Sequence, residues 1–180
     1  MVGFLHVRGW KMGSGNIILT GMPASGKSTV GVILAKVLGY DFVDTDLLIQ
    51  KKGQARLEEI IEERGIEGFL ALESEVCCAL DVSDTVIATG GSVVYGEKAM
   101  EHLKASGTVV YLKTGLEALK SRLSDMKQRG VVLKQGQSLE DLYNERTLLY
   151  ERYADIIIDE GAAGLEETVK MLTDRLTARS

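Results

Sequence analysis

A chain of 180 residues with 45% apolar and 26% charged side chains has the size and balance of one globular domain with an ordinary core. Its net charge of -5 argues against a nucleic-acid-binding surface, which shows as a basic excess, and no apolar run approaches the ~20 residues needed to span a bilayer. The two cysteines, Cys77 and Cys78, are neighbours that suit neither a disulfide nor a metal site, so reduced thiols and a cytoplasmic location are expected.

Met1–Gly15 reads as an N-terminal extension, expected to be disordered. Phe4-Leu5-His6-Val7 is too short for a signal-peptide core, and Arg8 and Lys11 interrupt it. Met12, directly before Gly13-Ser14-Gly15, is the expected natural start, and residues 16–180 are expected to form a single domain.

Asn16–Thr20 is a strand-like apolar run, and Gly21–Thr29 follows it directly as GMPASGKST, a complete G-x-x-x-x-G-K-[ST] phosphate-binding loop. A strand, a glycine-rich turn and a helix opening near Gly26 point backbone N–H groups and a helix N-terminus at one place. Gly21, Ala24, Ser25, Gly26, Lys27, Ser28 and Thr29 are therefore the expected ATP-binding residues. Lys27 is expected on the β- and γ-phosphates, and the Ser28 hydroxyl on Mg²⁺. A glycine-rich turn that binds nothing would account for the glycines but not for Lys27 and Ser28.

Ser28–Leu38 carries apolar residues at helical spacing and is stopped by Gly39. Tyr40–Asp44 is a short strand, and Asp44-Thr45-Asp46 closes it with two carboxylates. One can serve Mg²⁺, directly or through water, and the other can orient or deprotonate an acceptor hydroxyl. The structural alternative is that Asp46 caps a helix beginning at Leu47. Ala55–Arg64 and Ile66–Leu80 read as two helices separated at Gly65. Thr85–Thr89 is a strand of buried type running into Gly90-Gly91-Ser92, where a small ligand can meet backbone N–H groups. Glu97–Lys104 (helix), Thr108–Leu112 (strand) and Leu116–Met126 (helix) follow. Lys127–Ser138 is polar, contains Gly130 and Gly136, and reads as a mobile loop in which Arg129 can meet charge on a transferring phosphoryl group. Leu139–Tyr153 is a helix and Asp155–Ile158 the last strand; Leu165, Val169, Leu172 and Leu176 mark a final amphipathic helix. Five strands alternating with helices predict an α/β fold with a parallel sheet covered on both faces, and ligands at the carboxyl ends of its strands.

These pieces in this order resemble the shikimate kinase family over Asn16 to about Leu176. The residues that carry the likeness are GMPASGKST, FVDTD (Phe42–Asp46), Glu67–Phe69 with Glu73, ATGG (Ala88–Gly91), Arg129 and ERTLLYERYAD (Glu145–Asp155). The resemblance implies a three-layer α/β/α P-loop kinase fold with sheet order 2-3-1-4-5 and a mobile lid around residues 124–138. It implies that Lys27, Asp46 and Arg129 are catalytic. It also implies that Asp44 assists the metal through water, that Arg122 stacks near the adenine, and that Asp46, Gly91, Ser92 and Arg146 meet the acceptor, Arg146 at its carboxylate.

Three positions depart from the family pattern. Leu70 stands where the family has a carboxylate-clamping arginine directly after the phenylalanine, Ser92 where a third glycine is usual, and Gly130 where proline follows the lid arginine. Losing one partner of a buried charge pair typically costs ~2–5 kcal/mol, or roughly 30-fold to a few thousand-fold in affinity. Arg56 or Arg64 is a candidate replacement base, and Glu73, one helical turn from Leu70, is expected to line the acceptor site without its usual partner. The expected activity is ATP- and Mg²⁺-dependent phosphorylation of a hydroxyl on a small polar metabolite, shikimate first. A related kinase for a sugar acid, hydroxy acid or amino-alcohol is the second reading, and a nucleotide-binding module without turnover the third. A monomer without nucleic-acid or membrane partners is expected.

Overall fold

The computed structural model describes residues 15–124 and 136–178. The N-terminal segment up to Ser14, and most of the expected lid with Arg129, lie outside the described residues.

The strands are Asn16–Thr20 (β1), Asp41–Asp44 (β2), Thr85–Ala88 (β3), Gly107–Lys113 (β4) and Ile156–Asp159 (β5). The helices are Lys27–Leu38 (α1), Thr45–Gly53 (α2), Leu57–Cys78 (α3), Glu97–Ser106 (α4), Leu116–Ser124 (α5), Leu139–Tyr153 (α6) and Leu165–Thr177 (α7). All strand pairings are parallel, in the order β2-β3-β1-β4-β5, as expected.

Successive residues of a strand face opposite sides of a sheet, and here each side meets its own helices. Ile18, Ile87, Val109 and Tyr111 pack with Met100 and Leu103 of α4, Leu119 of α5 and Tyr150 of α6. Ile17, Leu19, Val110 and Leu112 pack on the other side with Val30 and Leu34 of α1 and Val169, Leu172 and Leu176 of α7. β1 is buried along its whole length, as a central parallel strand must be, whereas edge strand β5 alternates buried and exposed residues. A third, smaller core lies between α2 and α3, where Ile49 meets Ile60, Phe69, Leu72 and Val76.

One local feature differs from the sequence reading. α2 is a regular helix, and its cap is Asp44 rather than Asp46: the Asp46 N–H donates to Asp44 Oδ1 at 2.9 Å. The expected break at Gly65 is present: α3 consists of two helical stretches across a kink where Gly65 is non-helical (φ 69, ψ 175). No described helix is long and apolar enough to cross a membrane.

Candidate active site

The loop after β1 turns sharply into α1 because Gly26, the residue before the helix, adopts φ 87, a left-handed conformation that favours glycine. The turn buries Lys27, whose Nζ donates to the carbonyl oxygens of Gly21 (2.9 Å) and Met22 (2.8 Å) and to Ser25 Oγ (3.4 Å). Burial pulls the Lys27 ammonium down to about 8, against the pull of Asp46 and Asp44, so it remains largely cationic at neutral pH. One residue on, Ser28 Oγ donates to Asp44 Oδ2 at 2.7 Å. The end of β2 is thus tied to the start of α1, with a hydroxyl and a carboxylate side by side below the loop.

A cavity of about 460 Å³ opens above the carboxyl ends of the strands. The phosphate loop from Pro23 to Thr29 forms much of one wall; Asp44, Asp46, Phe69, Glu73, Gly90, Gly91 and Ser92 contribute to the rest. Gly90 is where the acids converge. A Cβ there would stand 2.3 Å from Glu73 Oε1 and 3.0 Å from Asp46 Oδ1, so a side chain at position 90 would push the Glu73 carboxyl out of place. Its N–H donates to Thr45 Oγ1 at 3.1 Å, which fixes the turn against α2.

Glu73 is 2% exposed. Ser92 Oγ donates to its Oε2 at 2.7 Å, while Oε1 has no hydrogen-bond partner among the described residues. Burial pushes the carboxyl up to about 7; Asp46 adds to the rise, and the Ser92 hydroxyl, Arg146 and Lys27 oppose it.

Arg146 is buried to 1% exposure under the neighbouring Gly91. Its Nε donates to Tyr95 Oη at 3.3 Å, its guanidinium lies 5.2 Å from the centre of the Tyr95 ring, and Nη1 would stand 3.1 Å from a Cβ at position 91. Tyr150 Oη donates to the Gly91 carbonyl at 2.5 Å, and its ring stacks on Tyr111 with centroids 5.0 Å apart. Across the loop, Arg122 Nη1 donates to the Ala24 carbonyl at 3.2 Å and lies 3.6 Å from Glu160 Oε2, which accepts from Thr114 Oγ1 at 2.8 Å.

A family model described as Shikimate kinase matches residues 23–177. The chain belongs to the shikimate kinase family. It is 38% identical over 156 residues to the shikimate kinase of Histophilus somni (strain 2336), covering 83% of this chain and 89% of that one. Identity to the shikimate kinase of Chlorobium chlorochromatii (strain CaD3) is 36% over 171 residues, covering 89% and 90% of the two chains. The fold matches that of Acinetobacter baumannii shikimate kinase, solved in complex with shikimate, with a TM-score of 0.83 and 31% identity over 92% of this chain and 94% of that one. Like its family, the protein is an ATP-dependent small-molecule kinase.

Of the site residues expected in this shikimate kinase relative, the loop residues Ala24, Gly26, Lys27, Ser28 and Thr29 share the cavity wall with Asp44, Asp46, Glu73, Gly91 and Ser92. Gly21 and Ser25 lie behind the loop as partners of Lys27, and Arg122 rests against Ala24. Leu70 is not on the wall. It packs half-buried against the α2–α3 core, where an apolar side chain is removed from water. Arg129 lies outside the described residues. Tyr95 and Tyr150 were missed: they lie on the element after Ser92 and on α6, and no short motif joins them to Arg146 or Gly91. The cysteines are unpaired, and burial pushes the Cys77 thiol far above its usual range.

Glu73 gives the fold of this shikimate kinase relative a pH signature. Its folded pKa of about 7 lies above the ordinary 4.5, so the folded state holds the proton more tightly than the unfolded one. The stability this provides is complete below about pH 4.5 and is lost as pH rises through about 7. Glu73→Gln keeps the shape and the acceptor for Ser92 but carries no charge, so it is expected to exceed wild type in stability by ~3 kcal/mol at pH 8. Urea unfolding at pH 5 and pH 8 checks this; a wild-type–variant difference that does not grow between the two would place the Glu73 proton elsewhere.

Proposed function

We propose that the protein transfers the γ-phosphoryl group of ATP to a hydroxyl of shikimate. The observation that carries this is the shared cavity, in which the phosphate-loop ammonium of Lys27 and the carboxylate of Asp46 face one space. Lys27 would leave the Gly21 and Met22 carbonyls for the β- and γ-phosphates, where a buried cation counts for more than in water. Asp46 would accept the proton of the acceptor hydroxyl as its oxygen attacks the γ-phosphorus. The new O–P bond forms, the bond to the β-phosphate oxygen breaks, and ADP carries away the electron pair. Arg122, against the loop at Ala24, would border the nucleotide. Gly91 and Ser92 would present backbone to the acceptor, and Arg146 would face its carboxylate. Arg129 is assigned the charge on the moving phosphoryl group from its position in the sequence.

Ser28 Oγ and Asp44 Oδ2 are hard oxygen donors, side by side at the loop. They suit Mg²⁺, which takes one or two protein oxygens and keeps several waters beside phosphates. Ser28 and Asp44, the latter through water, would hold the ion, which would neutralise charge on the β- and γ-phosphates. A monomer working in the cytoplasm is the remaining part of this reading; the unpaired thiols support the location.

A coupled ADP-release assay with Mg²⁺-ATP, with and without shikimate, tests the proposal. Release that depends on shikimate is expected. ATP binding with no response to shikimate would overturn the acceptor and direct the search to hydroxy acids, sugar acids and amino-alcohols.

A further inference from the structure

The charges on the cavity wall do not balance for an anionic acceptor. Asp44, Asp46, Glu58 and Glu73 bring four carboxyl groups to it, Glu73 partly protonated, against two cations, Lys27 and Arg56. Lys27 belongs to the phosphate loop by its hydrogen bonds. Arg146 lies beneath Gly91, with Nε on the Tyr95 hydroxyl and its face near the Tyr95 ring. Arg56 differs from both. It stands between α2 and α3, its side chain is exposed, and it makes no ion pair among the described residues.

The local backbone gives Arg56 a fixed base. Gln54, two residues before it, is in a left-handed conformation (φ 54), and the Arg56 N–H donates to Glu59 Oε2 at 2.8 Å, which anchors the start of α3. Leu57, the next residue, also lines the cavity. The guanidinium thus ends a long, exposed side chain anchored at its backbone beside the acceptor wall. A carboxylate entering a space lined by four acids needs such a cation, and a planar guanidinium can meet both of its oxygens.

We infer that Arg56 is a positioning residue that binds the carboxylate of the acceptor from the α2–α3 side of the cavity. This rests on the reading of the acceptor as shikimate. Arg56 supplies a binding contact made equally in ground and transition states, so it acts on KM and not on kcat.

The test compares wild type, Arg56→Ala and Arg56→Lys on shikimate and on its uncharged methyl ester. Arg56→Ala keeps the backbone N–H that anchors α3. It is expected to raise the KM for shikimate ~10–100-fold, the range of a lost charge-assisted hydrogen bond, and to leave kcat and the KM for ATP within about threefold. The KM for the ester is expected to be the same in wild type and Arg56→Ala, and Arg56→Lys is expected to recover part of the loss. An unchanged shikimate KM, or equal losses on acid and ester, would overturn the inference while wild-type turnover leaves the acceptor reading standing. No wild-type turnover with shikimate would overturn the acceptor reading, and this inference with it.

Discussion

Asp46→Asn is expected to lower kcat by about 10²–10⁴-fold, the usual contribution of a positioned general base, while ATP binding is retained. The two side chains have the same shape, so the packing around α2 is undisturbed. The N–H of residue 46 still donates to Asp44 Oδ1, and Ser28 still donates to the other oxygen of that carboxylate. The ability to take a proton is removed, together with the negative charge that supports the Lys27 ammonium and raises the Glu73 carboxyl. Steady-state kinetics with the acceptor varied, beside titration with a non-hydrolysable ATP analogue, separate the two effects. A kcat equal to wild type would show that Asp46 does not activate the hydroxyl, and would shift attention to Glu73, the other carboxylate over Gly90.

Lys27→Ala is expected to remove turnover by about 10³-fold or more, the scale on which a cation at a transferring phosphoryl group acts. Its effect on folding runs the same way. The buried ammonium satisfies the Gly21 and Met22 carbonyls, and alanine leaves both without that donor. Lys27→Arg separates structure from chemistry, since it keeps the charge but cannot reproduce a compact ammonium in the same space. Loss of turnover in Lys27→Ala, assayed at a temperature where its own unfolding curve shows it folded, would assign the loss to chemistry. Substantial turnover in Lys27→Ala would remove Lys27 from the phosphate contacts.

The strands and most helices are legible because each obeys one period: β1 is an unbroken apolar run, and α7 repeats Leu165, Val169, Leu172 and Leu176. The phosphate loop is legible because its residues are contiguous. α2 was not, since its mixed face carries little periodicity and its start is set by one side-chain hydrogen bond from Asp44. The state of Glu73 depends on Ser92, nineteen residues away, on the bare backbone of Gly90, and on burial that only the packed molecule creates. Leu70 shows the reverse limit. Its place beside Phe69 and Glu73 in the sequence suggests a shared pocket; Phe69 belongs to both the small core and the cavity wall, whereas Leu70 packs against the core and does not reach the wall. The sequence offers Arg56 and Arg64 as equal candidate bases; of the two, only Arg56 lines the cavity.

That small core beneath α2 and α3 has a consequence of its own. Ile49, Ile60, Phe69, Leu72 and Val76 are a packing unit separate from the two that clothe the sheet, and left-handed backbone at Gln54 and Gly65 interrupts its helices. Part of the acceptor wall, Arg56, Phe69 and Glu73, is mounted on this unit, while Gly91, Ser92 and the loop that takes the triphosphate are mounted at the ends of sheet strands. Substitutions distant from one another and without shared partners act nearly independently. Selection can therefore remodel the apolar mounting of that part of the wall, away from the coupled group of Lys27, Asp46 and Glu73, with little effect on the half that handles the phosphate donor. A position such as 70 can then change its chemistry while the machinery for ATP stays intact.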